Sequence, residues 1–211
     1  MKIGVFLNYV GLGSNLLHLS YCHQIAKKYG SITIITLCEN LKMALEDDPL
    51  IENVIFIEGK KYRRLLDIIE LSRKLKVNSF NKLYIFYPSI RTYLAAKLAN
   101  IKEVYSYPFL KKKKLHLVNA AKEFTEKYLA INNCPTETSL FIGENKKKIA
   151  KKNINENIYN IIIGAGSSGP TTKWGEKNYI DLINKLNLKD NYFFYILCGP
   201  NEKNLSDKII S

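Results

Sequence analysis

Short apolar runs alternate with amphipathic stretches along almost the whole chain. Ile3 to Tyr9 predicts a strand, and Asn15 to Tyr29 a helix carrying Leu16, Leu19, Cys22 and Ala26 on one face. Ser31 to Cys38 is a β-branched strand, and Asn53 to Ile57 predicts another. A helix over Tyr62 to Leu75, a strand over Lys82 to Tyr87, a helix over Ile90 to Ala99 and a short strand over Glu103 to Tyr107 follow. Leu115 to Ala130 predicts a long helix with Phe124, Tyr128 and Leu129 on its buried side and Leu115, Val118, Lys122 and Thr125 near one edge. Strand and helix in this order imply a parallel sheet covered on both faces.

The rhythm breaks at residues 132–157, a polar Lys- and Asn-rich stretch with one short apolar piece, which reads as a linker. A fresh unit then begins: strand Ile158 to Ile163, a glycine-rich loop, helix Glu176 to Leu186, strand Tyr192 to Leu197, and a last helix starting near Lys203. The expected organisation is therefore a complete Rossmann-like domain over residues 1–131, a linker over 132–157, and the first βαβ unit of a second Rossmann-like domain over 158–211. So short a parallel unit does not cover both faces of its own sheet, and the chain reads as unfinished at Ser211.

Composition adds limits. A chain of 211 residues with 46% hydrophobic and 24% charged residues is that of a soluble globular protein, and no apolar run reaches the length of a membrane-spanning helix. The opening MKIGVFLNYV lacks a small-residue cleavage site and reads as a first strand rather than a signal peptide. Cys22, Cys38, Cys134 and Cys198 are widely spaced, as expected of reduced thiols in a cytoplasmic protein. His18, His23 and His116 show no metal-ligand spacing, so no metal site is expected. The net charge of +13 gathers in three clusters: Lys60-Lys61-Tyr62-Arg63-Arg64, Lys111 to Lys114, and 146–152. These are either solvated faces or surfaces for anionic lipid, phosphorylated substrate or nucleic acid. Weak aromatic interleaving and the lack of a nucleic-acid motif argue against the last.

Two loops carry the chemistry. The first, Tyr9-Val10-Gly11-Leu12-Gly13-Ser14-Asn15, lies between the first strand and a helix whose N-cap is expected to be Ser14 or Asn15. It is either a tight turn or a ligand loop at the carboxyl end of the sheet. The second, Gly164-Ala165-Gly166-Ser167-Ser168-Gly169, spells the dinucleotide-binding pattern. That reading fails on geometry: Pro170 to Gly175 intervenes before the next helical pattern, and Asp190 precedes the second strand instead of closing it. What remains is a loop of small and hydroxyl residues, Ser167, Ser168, Thr171 and Thr172, ending in Lys173. Such donors suit a diphosphate leaving group without a metal.

Three stretches together resemble glycosyltransferase family 9, the ADP-heptose:lipopolysaccharide heptosyltransferases of GT-B fold. GLGSNLLHLSYCHQIAKKYG is similar to the family's strand–loop–helix opening. IIIGAGSSGPTTKWGEKNYIDLINKL looks like the opening of its second domain, and YILCGPNEKNL resembles its G-x-P-x-E loop. The resemblance runs along the whole chain, which corresponds to the first three-fifths or so of a typical member. It implies donor-diphosphate contacts from Ser167, Ser168 and Lys173, and ribose contacts from Glu202. It also implies an inverting, metal-independent transfer from a nucleotide-diphosphate sugar such as ADP-heptose to a lipopolysaccharide-core or related glycolipid acceptor. The place would be the cytoplasm, peripheral to the inner membrane face, where the basic surface meets anionic lipid. The family's base aspartate falls where this chain has Ser14 and then Asn15, neither a base near neutral pH, and its later donor motif falls beyond Ser211. A non-catalytic sugar-nucleotide or glycolipid-binding remnant is the alternative, and a basic nucleic-acid-binding α/β protein a third.

Overall fold

The computed structural model describes residues 1–58, 65–108, 115–166, 174–188, 191–199 and 202–210. The chain divides into two compact units, Met1–Gly143 and Glu144–Ser211. In the first, five parallel strands are β1 Ile3–Leu7, β2 Ile32–Thr36, β3 Ile51–Phe56, β4 Lys82–Ile85 and β5 Glu103–Ser106. They lie in the order β3-β2-β1-β4-β5, with Val5 opposite Ile34 on one side and Tyr84 on the other. β1 and β2 are buried at every position, as strands covered on both faces must be.

The helices of this unit are α1 Leu12–Leu16, α2 Leu19–Tyr29, α3 Leu41–Ala44, α4 Leu65–Val77, α5 Ile90–Leu98 and α6 Leu117–Leu129. Along β1 the side chains alternate between two cores. Ile3, Val5 and Leu7 pack with Leu19, Cys22 and Ala26 of α2 and with Ala121, Phe124 and Leu129 of α6. Phe6 packs with Leu71 and Leu75 of α4 and with Ala95 and Ala96 of α5. The predicted two-sided parallel sheet is the observed one. All four cysteines are free, and Cys22, Cys38 and Cys134 are buried. Burial pushes the Cys134 thiol up to about 11, with the nearby Glu126 carboxylate adding to the effect.

Three features depart from the sequence reading. The single helix expected over Asn15 to Tyr29 is two, α1 and α2, separated at Leu17 and His18. α3 is one turn long, too short to leave an apolar periodicity. The third is α7, Glu144–Asn153, which lies in the stretch expected as a linker. None of its residues is buried, and Glu144 and Lys147 form an i,i+3 pair 2.7 Å apart. Without an apolar face it carries no helical signal in the sequence.

The second unit holds two parallel strands, β6 Tyr159–Gly164 and β7 Tyr192–Leu197, with α8 Glu176–Asn187 and α9 Lys203–Ile210. One face of this sheet, with Ile161, Ile163, Phe194 and Ile196, packs on Tyr179, Ile183, Leu205 and Ile209. The other presents Ile162, Phe193 and Leu197, which are 65%, 48% and 59% exposed. Among the described residues no helix is long and apolar enough to cross a membrane.

Candidate functional site

In an open parallel sheet the ligand end is the carboxyl end, where each strand releases its chain into a loop. β1 ends at Leu7 and runs through Tyr9 to Gly13. Gly11 is the N-cap of α1, at φ −76° and ψ 136°, with no side chain capping it. This corrects the expected cap: neither Ser14 nor Asn15 performs it, because the helix begins before them. Instead Asn15 is 1% exposed. Its amide nitrogen donates to the Tyr9 and Gly11 carbonyls at 3.0 and 2.7 Å, and its oxygen accepts from the Thr36 hydroxyl at 2.7 Å. The Thr36 hydroxyl accepts in turn from the Cys38 amide at 3.0 Å. These bonds tie the loop after β1 to the loop after β2.

The two glycines of the first loop are not required by the fold. Neither has a positive φ, a Cβ at Gly13 would meet nothing within 4 Å, and one at Gly11 would meet only the Ser14 hydroxyl at 4.0 Å. A bare backbone facing open space suits a ligand's close approach better than a turn that demands glycine. Ser14 is half-buried, and its carbonyl accepts from His18 Nδ1 at 2.7 Å. That bond makes Nδ1 the protonated nitrogen, leaving Nε2 as a buried acceptor without a partner. His18 is stacked on Tyr9, their ring centroids 4.7 Å apart, and burial lowers its pKa. Tyr9 donates its hydroxyl to the Phe86 carbonyl at 3.0 Å, and burial raises it to about 12.

Beside this loop lies a cavity of about 1000 Å³, open at the carboxyl ends of β1 to β4. Val10 and Leu12 of the first loop line it, as do Glu39 after β2, Glu58 after β3, Asp67 of α4 and Arg91 of α5. Ser89, also in its wall, caps α5 by accepting from the Thr92 amide at 3.2 Å. A second cavity of about 570 Å³ is walled by Tyr9, Tyr107, Phe124 and Tyr128, and Tyr87 lines both. None of these three acidic residues was legible as site chemistry: they come from two separate loops and a helix and share no motif.

In the second unit, β6 and β7 deliver Gly166 and Gly199 to the same sheet end. Glu202 folds back there, its carboxylate accepting from the Gly199 amide at 3.2 Å. A Cβ on Gly166 would stand 2.0 Å from that carboxylate, so this glycine makes room for Glu202. α8 starts only at Glu176, behind Gly175 with its φ of +94°, and Trp174 packs edge-on against Tyr179 at 4.9 Å. The late start is the geometry that excludes a dinucleotide fingerprint. Ser167, Ser168, Thr171, Thr172 and Lys173 lie outside the described residues, as do Asp190 and the clusters at 60–64 and 111–114. The lysines of 146–152 belong to α7.

With this geometry in place, the fold can be compared with known structures. The crystal structure of a glycosyl transferase family 9 protein from Veillonella parvula superposes with a TM-score of 0.69 at 18% identity, over 99% of this chain and 66% of the other. E. coli ADP-heptose lipopolysaccharide heptosyltransferase II gives 0.68 at 18% identity, over 100% and 68%. E. coli heptosyltransferase WaaC, with ADP-2-deoxy-2-fluoro heptose, gives 0.67 at 12%, over 100% and 73%. No family model and no curated protein matches the chain. The class is thus that of an α/β protein with the fold of family 9 glycosyltransferases. The chain spans about two thirds of the length of the solved structures it resembles.

Proposed function

We propose that the protein is a glycosyltransferase of the family 9 type. It moves a sugar, a heptose by the resemblance of its motifs, from a nucleotide-diphosphate donor such as ADP-heptose to a lipopolysaccharide-core or related glycolipid acceptor, with inversion and without a metal. The observation that carries this reading is where the motif residues fall. Gly11, Gly13 and Ser14 stand beside the large cavity at the end of the first sheet, while Gly166, Gly199 and Glu202 cluster at the end of the second. The first end suits an acceptor; the second, with Ser167, Ser168, Thr171, Thr172 and Lys173 continuing from Gly166, suits a nucleotide diphosphate. E. coli heptosyltransferase WaaC, of the same fold, has been solved with ADP and with ADP-2-deoxy-2-fluoro heptose. We place the protein in the cytoplasm, with its basic surface against an anionic inner membrane face.

Isothermal titration with ADP and ADP-heptose tests the donor half. Binding of both, lost in Lys173→Ala, is the expected result; unchanged binding in that variant overturns the assignment of the second loop. Salt-dependent binding to RNA or DNA with none to ADP would replace the reading by the nucleic-acid one. The burial of Asn15 and the hydroxyl at Ser14 favour one further reading, a donor- or glycolipid-binding protein without turnover. A gain of transfer in Ser14→Asp over an inactive wild type is its signature.

A further inference from the structure

Transfer of a sugar to a hydroxyl group calls for a base to take the hydroxyl proton, and the first loop does not hold one. Ser14 does not ionise near neutral pH. Asn15 is neutral and engaged on every side by Tyr9, Gly11 and Thr36. His18 is sealed at 0% exposure, its pKa lowered by burial and its Nδ1 spent on the Ser14 carbonyl. The base has to be open to the acceptor, ionised at neutral pH and held at the carboxyl end of the first sheet.

The large cavity offers Glu39, Glu58 and Asp67. Glu58 and Asp67 have interactions of their own. Among the described residues, Glu39 is exposed and makes no hydrogen bond or ion pair. Its backbone is fixed on both sides. The Cys38 amide is held by the Thr36 hydroxyl at 3.0 Å, Cys38 itself is 4% exposed, and the Cys38 carbonyl accepts from the Leu41 amide at 3.3 Å as α3 begins. Thr36 is the residue that Asn15 clasps. The clasp that occupies Asn15 therefore ties the turn before Glu39 to the loop carrying Ser14, and Glu39, with its carboxylate unpaired, lines the cavity.

We propose that Glu39 is the general base of the transfer, taking the role that Ser14 cannot fill; the proposal rests on the transferase reading above. The acceptor oxygen attacks the anomeric carbon while its proton passes to the Glu39 carboxylate. The new C–O bond forms as the anomeric bond to the diphosphate breaks, and that electron pair leaves with the nucleoside diphosphate. Glu39 then returns its proton to water.

The test is ADP release by the full chain from ADP-heptose with deacylated lipopolysaccharide inner core, followed from pH 5 to 9 alongside ADP titration and thermal melting. Glu39→Gln is expected to lower kcat by about 10²-fold or more. Its ADP affinity should stay within about twofold of the wild type's, and its melting temperature should be unchanged. Glu39→Asp, which keeps the carboxylate, is expected to keep part of the rate. Adding Ser14→Asp to Glu39→Gln is expected to restore turnover. A Glu39→Gln enzyme within about threefold of wild type overturns the assignment and leaves the transferase reading standing. So does a loss that follows weakened ADP binding. A wild-type chain that binds ADP-heptose yet releases no ADP at any pH overturns both.

Discussion

His18 is fully buried between Tyr9 and Phe86, with ring centroids 4.7 and 5.4 Å away, and burial holds its pKa below the ordinary 6.5. The unfolded chain takes up a proton at pH 6.5 that the folded chain refuses. Stability from this residue is therefore complete above pH 6.5 and lost as pH falls from there toward the folded value. One proton bounds the slope at about 1.4 kcal/mol per pH unit. Urea unfolding at pH 7.5 and 5.5 is expected to show a larger drop for wild type than for His18→Gln. Equal drops would place the acid sensitivity elsewhere. Neither this role nor that of Asn15 was legible from the residues alone. In the sequence Asn15 reads as a helix cap or a residue in the region of the family's base, and His18 only as a histidine without metal-ligand spacing. Only the packing of α2 and α6 over β1 and β4, and the approach of Thr36 from the neighbouring strand, makes them architecture.

Strands were the most legible elements, because each leaves a short run of apolar, β-branched or aromatic residues. β7 begins and ends as its pattern predicts, and β1 is shorter than its run because Asn8 and Tyr9 already belong to the loop. Helix boundaries depended on local caps that can be checked singly. At α5 the Ser89 hydroxyl accepts both the Thr92 amide at 3.2 Å and the Thr92 hydroxyl at 2.9 Å. Ser89→Ala is expected to cost about 1 kcal/mol, the typical worth of an N-cap, and to lower the melting temperature by a few degrees. Ser89→Asp, which keeps the acceptor, is expected to lose much less; equal losses in the two variants would mean the side chain acts through the cavity wall instead. The one-turn α3 and the largely polar α7 left no trace in the pattern, since a single turn shows no period and a helix without an apolar stripe shows no face.

At the scale of the molecule the two units differ in how completely they bury themselves. Residues 1–143 enclose a five-stranded sheet between two cores, with Tyr21, Tyr84 and Phe86 fully buried in one and Ile35, Leu83 and Ile85 in the other. Among the described residues, the core of residues 144–211 has Ile163, Ala165 and Ile209 as its buried members, and the other face of its sheet shows Ile162, Phe193 and Leu197. Parallel sheets persist where both faces are covered, and a small unit buries too little surface to offset its conformational entropy. A fragment of residues 1–143 is therefore expected to unfold in one cooperative urea transition, with fluorescence and circular dichroism coincident. A fragment of residues 144–211 is expected to bind a hydrophobic dye and to melt without a cooperative step. Should the second fragment unfold cooperatively and leave the dye unbound, the open face of β6 and β7 would carry less of a burden than its exposure implies, and the stability of that unit would have to come from α8 and α9.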